Sequence, residues 1–271
     1  MITNKLYKMK RILIIATLIV MSLQTMAQRG GDPNWISIAG KVGVGNSILF
    51  SEQISDDGNI TQNYLSPAIS VGGRLGVVFV DRVGVSVEYL SSTYSNKYEV
   101  CAPGGNKKFD SNLKFKTGDL LVLARYTGEY GFYAEIGPKF TSIKEAQYSI
   151  EDNPNGVTYG DLLTTAGPIS NDPISNLDLT NCFNGKFTSI VFGLGYAVFN
   201  GDRVQVTLGA RAAYCSKNII KQVDGLQNTG FSKYTTMEMK PFSAQVMVDI
   251  NYHFARFGSA TCGKQKIIFF K

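Results

Sequence analysis

The side chains that could carry out catalysis or bind a metal are few in this chain of 271 residues. Its one histidine, His253, would need a nucleophile and an orienting acid beside it to act in a hydrolase. The acid pairs Asp56-Asp57 and Glu151-Asp152 lie in polar segments that lack the spaced oxygen ligands of a calcium loop. The sequence therefore predicts no enzyme, no cofactor and no metal site; calcium binding by these acid pairs is the alternative.

A second group of charged residues recurs at alternate positions within otherwise apolar stretches. Successive side chains of a strand point to opposite faces, so these residues share the wall opposite the apolar one. The set is Lys41, Arg74, Glu88, Asp119, Arg125, Glu135, Lys139, Arg211 and Asp249. Both signs are present, which predicts a network of mutual ion pairs inside a closed structure. A narrow ion pathway lined by the same side chains is the alternative.

The stretch from Phe242 to Phe254 shows this alternation most clearly. Val246, Val248 and Ile250 fall on one face, and Asp249 falls on the other. A tilted strand of roughly nine to eleven residues crosses the hydrocarbon layer of a membrane. We therefore predict a transmembrane strand with one lipid-facing wall and one polar wall.

Seven other stretches share this pattern, at about 35–46, 67–80, 83–94, 113–126, 132–144, 185–199 and 203–216. Their connections alternate between long and short, and the long ones are 47–66, 96–112, 146–184 and 217–238. Outer-membrane barrels have short periplasmic turns, longer external loops and an even number of strands. The sequence thus predicts an all-β fold: an eight-stranded antiparallel transmembrane β-barrel with short periplasmic turns and long external loops, in the cell outer membrane. A secreted soluble barrel or sandwich is the alternative.

Aromatic residues gather at the ends of the predicted strands, as expected of the girdles that lie at the two membrane interfaces. They are Trp35, Phe79, Tyr94, Tyr126, Phe132, Phe140, Phe199, Tyr214, Phe242, Tyr252 and Phe254. The ordinary preference of aromatic residues for strands is the alternative explanation.

Residues 1–27 predict a secretory signal peptide, with an apolar run from Ile12 to Leu23 and cleavage after Ala27. The run is too short for a spanning helix of about twenty residues; an uncleaved anchor is the alternative. Cleavage would remove four positive charges and no negative ones, so the formal net charge would fall from +6 to +2. Most of the basic character then belongs to the signal, and no nucleic-acid partner is expected.

Residues 28–254 are assigned to the barrel domain and residues 255–271 to a C-terminal periplasmic extension. The extension could be a periplasmic peptide, a further short strand or an appendage without function.

Four cysteines could form disulfides in an exported protein, and no CxxC metal pattern is present. Cys101 and Cys182 fall in neighbouring external loops, so we expect this pair to bridge. A Cys182–Cys215 bridge and no bridge at all are the alternatives. Cys262 lies on the periplasmic side of a barrel about 25 Å tall, whereas a disulfide needs Cα atoms within about 7 Å. We therefore expect Cys262 to be unpaired within the chain.

One predicted hairpin, 113–126 followed by 132–140, carries recognisable motifs. Leu120-Leu121-Val122, Arg125-Tyr126 and Gly137-Pro138 resemble the central hairpin of the outer membrane protein β-barrel domain family common in Bacteroidota, also called porin-family or PorT-like. The proline that the family has in the first strand is absent here, where Gly118-Asp119 stand. The resemblance implies that Tyr252 and Phe254, at the end of the last predicted strand, form the aromatic signal read by the barrel-assembly machinery. It implies no shared catalytic residues. It implies outer-membrane lipid, the barrel-assembly machinery and a possible secretion or uptake complex as partners.

We therefore expect a non-enzymatic outer-membrane barrel with a structural or interaction role through its external loops. A narrow channel or porin through the charged lumen is the first alternative. An enzyme acting on lipid or peptide is the second.

Overall fold

The structure is a computed structural model that describes residues 34–56, 60–62, 66–79, 82–101, 107–128, 130–152, 177–201, 203–221, 237–259 and 266–270. The predicted signal peptide and Cys262 lie outside these residues. Among the described residues, no helix has the length and apolar character needed to cross a membrane.

Eight long strands form the wall of the molecule. They are β1 (Asn34–Phe50), β3 (Pro67–Phe79), β4 (Val83–Cys101), β5 (Lys107–Thr127), β6 (Phe132–Asp152), β8 (Lys186–Asn200), β9 (Val204–Tyr214) and β10 (Lys240–Ser259). The shorter elements are α1 (Glu52–Asp56), β2 (Ile60–Gln62), β7 (Leu177–Asp178), the 3₁₀ helix Thr180–Cys182 and β11 (Lys266–Phe270).

The eight long strands close into a ring. Each pairs antiparallel with its neighbour in the order β1-β3-β4-β5-β6-β8-β9-β10, and β10 pairs back with β1. The closing pair runs from Asn34↔Phe257 to Phe50↔Lys240. Closure leaves no unpaired edge in the wall, as a barrel in lipid requires. The predicted eight-stranded antiparallel barrel is confirmed.

The two faces of the wall differ sharply in composition. Outward side chains are large and apolar, and Ile38, Val71 and Ile250 are 54%, 52% and 58% exposed. Inward positions hold polar and charged residues, and Lys41 and Asp249 are 2% and 0% exposed. A belt of exposed apolar side chains is stable only against lipid, so this belt is the membrane-facing surface.

The short connections lie together at one end of the barrel, which is the periplasmic end. Between β5 and β6, the Gly128 amide donates to the Phe132 carbonyl at 2.7 Å. Gly131 has a φ of 84°, a backbone conformation that favours glycine. This explains the glycine at that position of the turn.

A folded cap covers the opposite, external end. We define the external cap as α1, β2, β7, the 3₁₀ helix with Phe183, the outer ends of β1, β4, β5 and β6, and residues 215–221 and 237–239. Its buried core is Leu49, Ile54, Ile60, Tyr98, Leu113, Phe115, Ile143, Ala146, Tyr148, Leu179, Cys182, Phe183, Ile219, Ile220, Met237 and Met239. The described parts of the external segments therefore fold together.

Several strands are longer than the sequence predicts. β4 continues to Cys101, β5 begins at Lys107 and β6 continues to Asp152. Beyond the membrane these strand ends form part of the cap. Their outward positions no longer need to be apolar there, so the alternation fades.

The C-terminal boundary also differs from the prediction at Phe254. β10 runs on to Ser259, and β11 pairs antiparallel with this last part of β10. The described residues 266–270 of the extension form a further short strand, which is one of the three possibilities that the sequence leaves open.

Candidate functional site

Inward positions of all eight wall strands supply the side chains of the lumen. All nine charged residues of the predicted set lie on this inner wall, and even the side chain of Arg125, near the periplasmic end, is only 10% exposed. They comprise five cations and four anions, divided between two levels of the barrel. Strand alternation explains this placement, because each falls at the parity opposite the lipid-facing residues.

Glu88 lies at the centre of the larger group. Lys41 donates to its carboxylate at 2.8 Å, and the Arg211 guanidinium donates to it at 2.8 Å from Nη1. Arg211 also binds Glu135, with Nε donating at 2.9 Å. Arg211 thus bridges carboxylates from two strands, β4 and β6, using the several donors of one planar group.

Asp249 faces three cations around the barrel. Its Oδ2 atom lies 3.4 Å from Lys41, 3.6 Å from Arg74 and 3.8 Å from Arg125. Arg74 additionally donates to the side-chain oxygen of Asn251. The negative charge of Asp249 is therefore balanced from β1, β3 and β5 together, which ties the closing strand β10 to three others.

Tyr133 fills the lumen beside this group, and glycines on neighbouring strands make room for it. The Arg125 guanidinium lies 3.7 Å from the centroid of the Tyr133 ring, a cation–π contact. A Cβ at Gly195 would lie 2.5 Å from atoms of the same ring. Gly209 also faces the Tyr133 hydroxyl too closely to carry a side chain.

The smaller charged group lies nearer the external end. Lys139 donates to the Tyr94 hydroxyl at 2.8 Å, and Tyr94 donates to Asp119 at 2.9 Å. Lys139 and Asp119 are 3.4 Å apart, and Ser92 donates to Asp119 at 2.7 Å. The prediction that Tyr94 belongs to the aromatic girdle is therefore wrong. Its even number on β4 gives it the parity of Glu88, a signal that could have found it.

An apolar layer separates the two charged groups. It consists of Leu90, Leu121, Leu123, Val191, Ala213 and Met247. A void of about 10 Å³ remains between Arg211 and the Asp119–Lys139 pair, and one of about 30 Å³ lies beneath the cap. Spaces of this size hold about one or two water molecules. Side chains therefore fill the described lumen.

The cysteines of the cap are thiols in the structure. Cys101 Sγ donates to Glu99 Oε1 at 3.8 Å, and Cys182 is buried in the cap core. This differs from the predicted Cys101–Cys182 bridge. That prediction assumed loops able to bring the two sulfurs together, whereas β4 fixes Cys101 and the 3₁₀ helix fixes Cys182. Burial, followed by the charge of Asp178, raises the pKa of the Cys182 thiol.

The two aromatic residues of the predicted assembly signal lie inside β10. Tyr252 is 40% exposed on the lipid-facing side, and Phe254 is partly buried. Because β10 continues to Ser259, neither residue ends the strand.

A closed antiparallel barrel with an apolar outer belt and a charged interior defines a transmembrane β-barrel of the outer-membrane type. The protein accordingly resides in the cell outer membrane.

No protein-family model and no curated protein matches this chain. Solved structures that it matches include the outer membrane protein OprG from Pseudomonas aeruginosa, at 12% identity and a TM-score of 0.38, covering 84% of this chain and 97% of OprG. Neisserial surface protein A matches at 11% identity and a TM-score of 0.35, covering 81% and 97%. The attachment invasion locus protein Ail of Yersinia pestis matches at 12% identity and a TM-score of 0.35, covering 82% of this chain and 99% of Ail.

Proposed function

We propose that this protein is a non-enzymatic outer-membrane barrel that acts through its external cap, in a structural or interaction role. The observation that carries this proposal is the cap core, which packs residues of the external segments into one buried cluster. A cluster of this kind gives the outer surface a defined shape, which a set of solvated loops would lack. The barrel then serves as the membrane anchor of that surface.

The filled lumen argues against the channel alternative. An ion crossing the lumen would have to pass the Glu88–Arg211 group, the apolar layer and the Asp119–Lys139 pair in succession. Each charged group is already paired within the protein, and an eight-stranded barrel is only wide enough for its own side chains or one small ligand. We therefore assign the charges a role in holding the strands in register.

The enzyme alternative has little support from the position of His253. Its ring lies 5.5 Å from that of Trp35, and its strand position is opposite Ser37 near the periplasmic end. The cap lies at the other end of the barrel. A histidine-based site on the external surface could not use this residue.

We also propose membership of the Bacteroidota PorT-like family, on the basis of the 113–140 hairpin. Its motif residues have structural roles in this barrel: Leu121 is buried in the lumen, and Gly137 packs against the backbone of Val122 and Leu123 too closely for a side chain. On this proposal the barrel-assembly machinery and a secretion or uptake complex are the protein partners.

In-cell photo-crosslinking tests the interaction role. A photoreactive residue at the exposed cap positions Asn181 or Lys217 should capture a protein, while the same residue at lipid-facing Val248 should capture only lipid. Planar-bilayer recording of the refolded protein should show no unitary conductance. If neither cap position gave a protein adduct and the bilayer recording showed stepwise conductance, the channel function would be favoured over the interaction role.

A further inference from the structure

Lysines project outward from one side of the barrel just beyond the external edge of the lipid-facing belt. Lys116 on β5, Lys144 on β6 and Lys186 on β8 are all exposed. Lys186 shares the parity of lipid-facing Ile190 on the same strand. On the opposite side of the barrel, the last outward residue of β1 is the apolar Phe50, 48% exposed. We define the basic patch as Lys116, Lys144 and Lys186, which lie on three adjacent strands.

The register of β5, β6 and β8 brings these three lysines close together. Ser142 lies opposite Gly118 on one side and opposite Lys186 on the other. Lys144 and Lys116 each lie two residues further toward the external end than Ser142 and Gly118, where a β-bulge sets Lys116 opposite Glu145. Neighbouring positions on adjacent strands have Cβ atoms roughly 5 to 8 Å apart. This range applies to Lys144 with Lys116 and to Lys144 with Lys186, whereas Lys116 and Lys186 lie two strands apart. One multiply charged headgroup could therefore contact more than one of these side chains.

The position of Lys144 shows that the patch lies at the membrane interface. Its Nζ atom donates to the Tyr89 hydroxyl at 3.4 Å. A Cβ at Gly118 would lie 3.0 Å from that hydroxyl and 3.2 Å from Lys144 Cε, so the lysine stem lies across the glycine. Tyr89 is the last large residue on the lipid-facing side of β4, before Ser91. Tyrosines at such belt edges lie at the level of the lipid headgroups.

The patch retains uncompensated positive charge. Lys116 pairs with Glu145 at 2.6 Å, with side-chain exposures of 51% and 34%. Lys144 and Lys186 form no ion pair within the described part of the chain. A surface that is basic at headgroup level and continuous with an apolar belt below matches a lipid with anionic headgroup and acyl chains.

We propose that Lys116, Lys144 and Lys186 bind the phosphate groups of a phosphorylated glycolipid in the outer leaflet. The acyl chains of this lipid would lie against the apolar wall of β5, β6 and β8, below the patch. The lysine ammonium groups would donate charge-assisted hydrogen bonds to the phosphate oxygens.

Titration of the refolded full chain in detergent micelles with bisphosphorylated lipid A tests this proposal, with binding followed by native mass spectrometry. Each lysine near a charged lipid surface contributes about fivefold in affinity. The double variant Lys144→Gln/Lys186→Gln, which keeps the Lys116–Glu145 pair, should therefore bind about 25-fold more weakly. Enzymatically dephosphorylated lipid A should bind the native protein and this variant equally.

Two matched single variants make the test specific. Lys221→Gln removes an exposed lysine of the cap and should leave lipid A binding unchanged. Glu145→Gln frees Lys116 from its partner and should strengthen binding. The proposal would be overturned if the native protein bound bisphosphorylated and dephosphorylated lipid A equally. It would also be overturned if the double variant bound bisphosphorylated lipid A as tightly as the native protein does. A third contradicting result would be a loss of lipid A affinity in Lys221→Gln as large as the loss in the double variant. Migration in detergent gels before and after boiling verifies that each variant is folded, and no outcome alters the cross-linking test of the cap.

Discussion

At the scale of single residues, Glu88 is the anion on which the central network depends. Its carboxylate binds Lys41 and Arg211, and all three side chains are almost fully buried. Removing one partner of a buried ion pair leaves an uncompensated charge and costs about 3–5 kcal/mol. We expect Glu88→Gln to lower the free energy of unfolding by about this amount, measured by urea titration of the refolded protein in detergent.

The exposed Lys116–Glu145 pair provides the matched control for Glu88. Pairs in solvent contribute about 0–1 kcal/mol, so Glu145→Gln should change stability little. Combining Glu88→Gln with Lys41→Gln removes one of the cations that Glu88→Gln leaves without this carboxylate. The double variant should therefore regain part of the lost free energy of unfolding. Similar losses from Glu88→Gln and Glu145→Gln would contradict the ion-pair interpretation of the lumen.

Cys182 gives a prediction about pH. Burial and the nearby Asp178 carboxylate raise the pKa of its thiol, and only the thiolate reacts with alkylating reagents. In a variant that keeps Cys182 as the only cysteine, alkylation at pH 8 should be at least about tenfold slower in the folded protein than in denaturant. The rate should still be rising with pH above the ordinary thiol pKa of about 8.5.

The sign of the accompanying stability change follows from the raised pKa. The folded cap holds the Cys182 proton more tightly than the unfolded chain, so this contribution is complete below the unfolded pKa. It is lost as pH rises through the folded pKa. Asp178→Asn keeps an oxygen that can accept from Thr180 and removes the charge, so it should speed alkylation. Equal rates in the folded and unfolded states would contradict the buried position of Cys182.

At the scale of strands, close packing across the lumen depends on glycines. Gly195→Ala would place a methyl group against the Tyr133 ring, which already packs on Arg125. Overpacking of this kind costs about 1–3 kcal/mol, measured by the same urea titration. Gly40→Ala is the matched control, because a Cβ at Gly40 has nothing within 4 Å on the outer surface. Equal tolerance of both changes would contradict the filled lumen.

Strand number and orientation could be predicted from sequence because lipid imposes a strict alternation on every membrane-crossing segment. Val246, Val248 and Asp249 show this on β10, and the same parity places the lumen charges. The cap could not be predicted in this way. Ile54, Leu179 and Met237 lie in polar segments without any period, and their packing depends on contacts between distant parts of the chain. Their apolar character within polar loops was the only available signal.

At the scale of the whole molecule, closure predicts resistance to detergent. Because β1 pairs with β10, the wall has no unpaired strand edge at which dodecyl sulfate could begin to separate the strands. Unheated protein should migrate in detergent gels as a compact band, and boiled protein should migrate at a different apparent mass. Identical migration of the two samples would contradict a closed ring.

The composition of the cap core has a consequence for the order in which the protein folds. Leu49 lies at the outer end of the first strand of the wall and Met239 directly precedes the last strand, yet both lie in the same cluster. Contacts between residues so far apart in sequence carry a large loop-closure entropy until the ring has brought them together. The external end should therefore acquire its structure last, after β10 has met β1. In a time-resolved hydrogen-exchange experiment on the refolding protein, the amides of the wall strands should become protected before those of the cap.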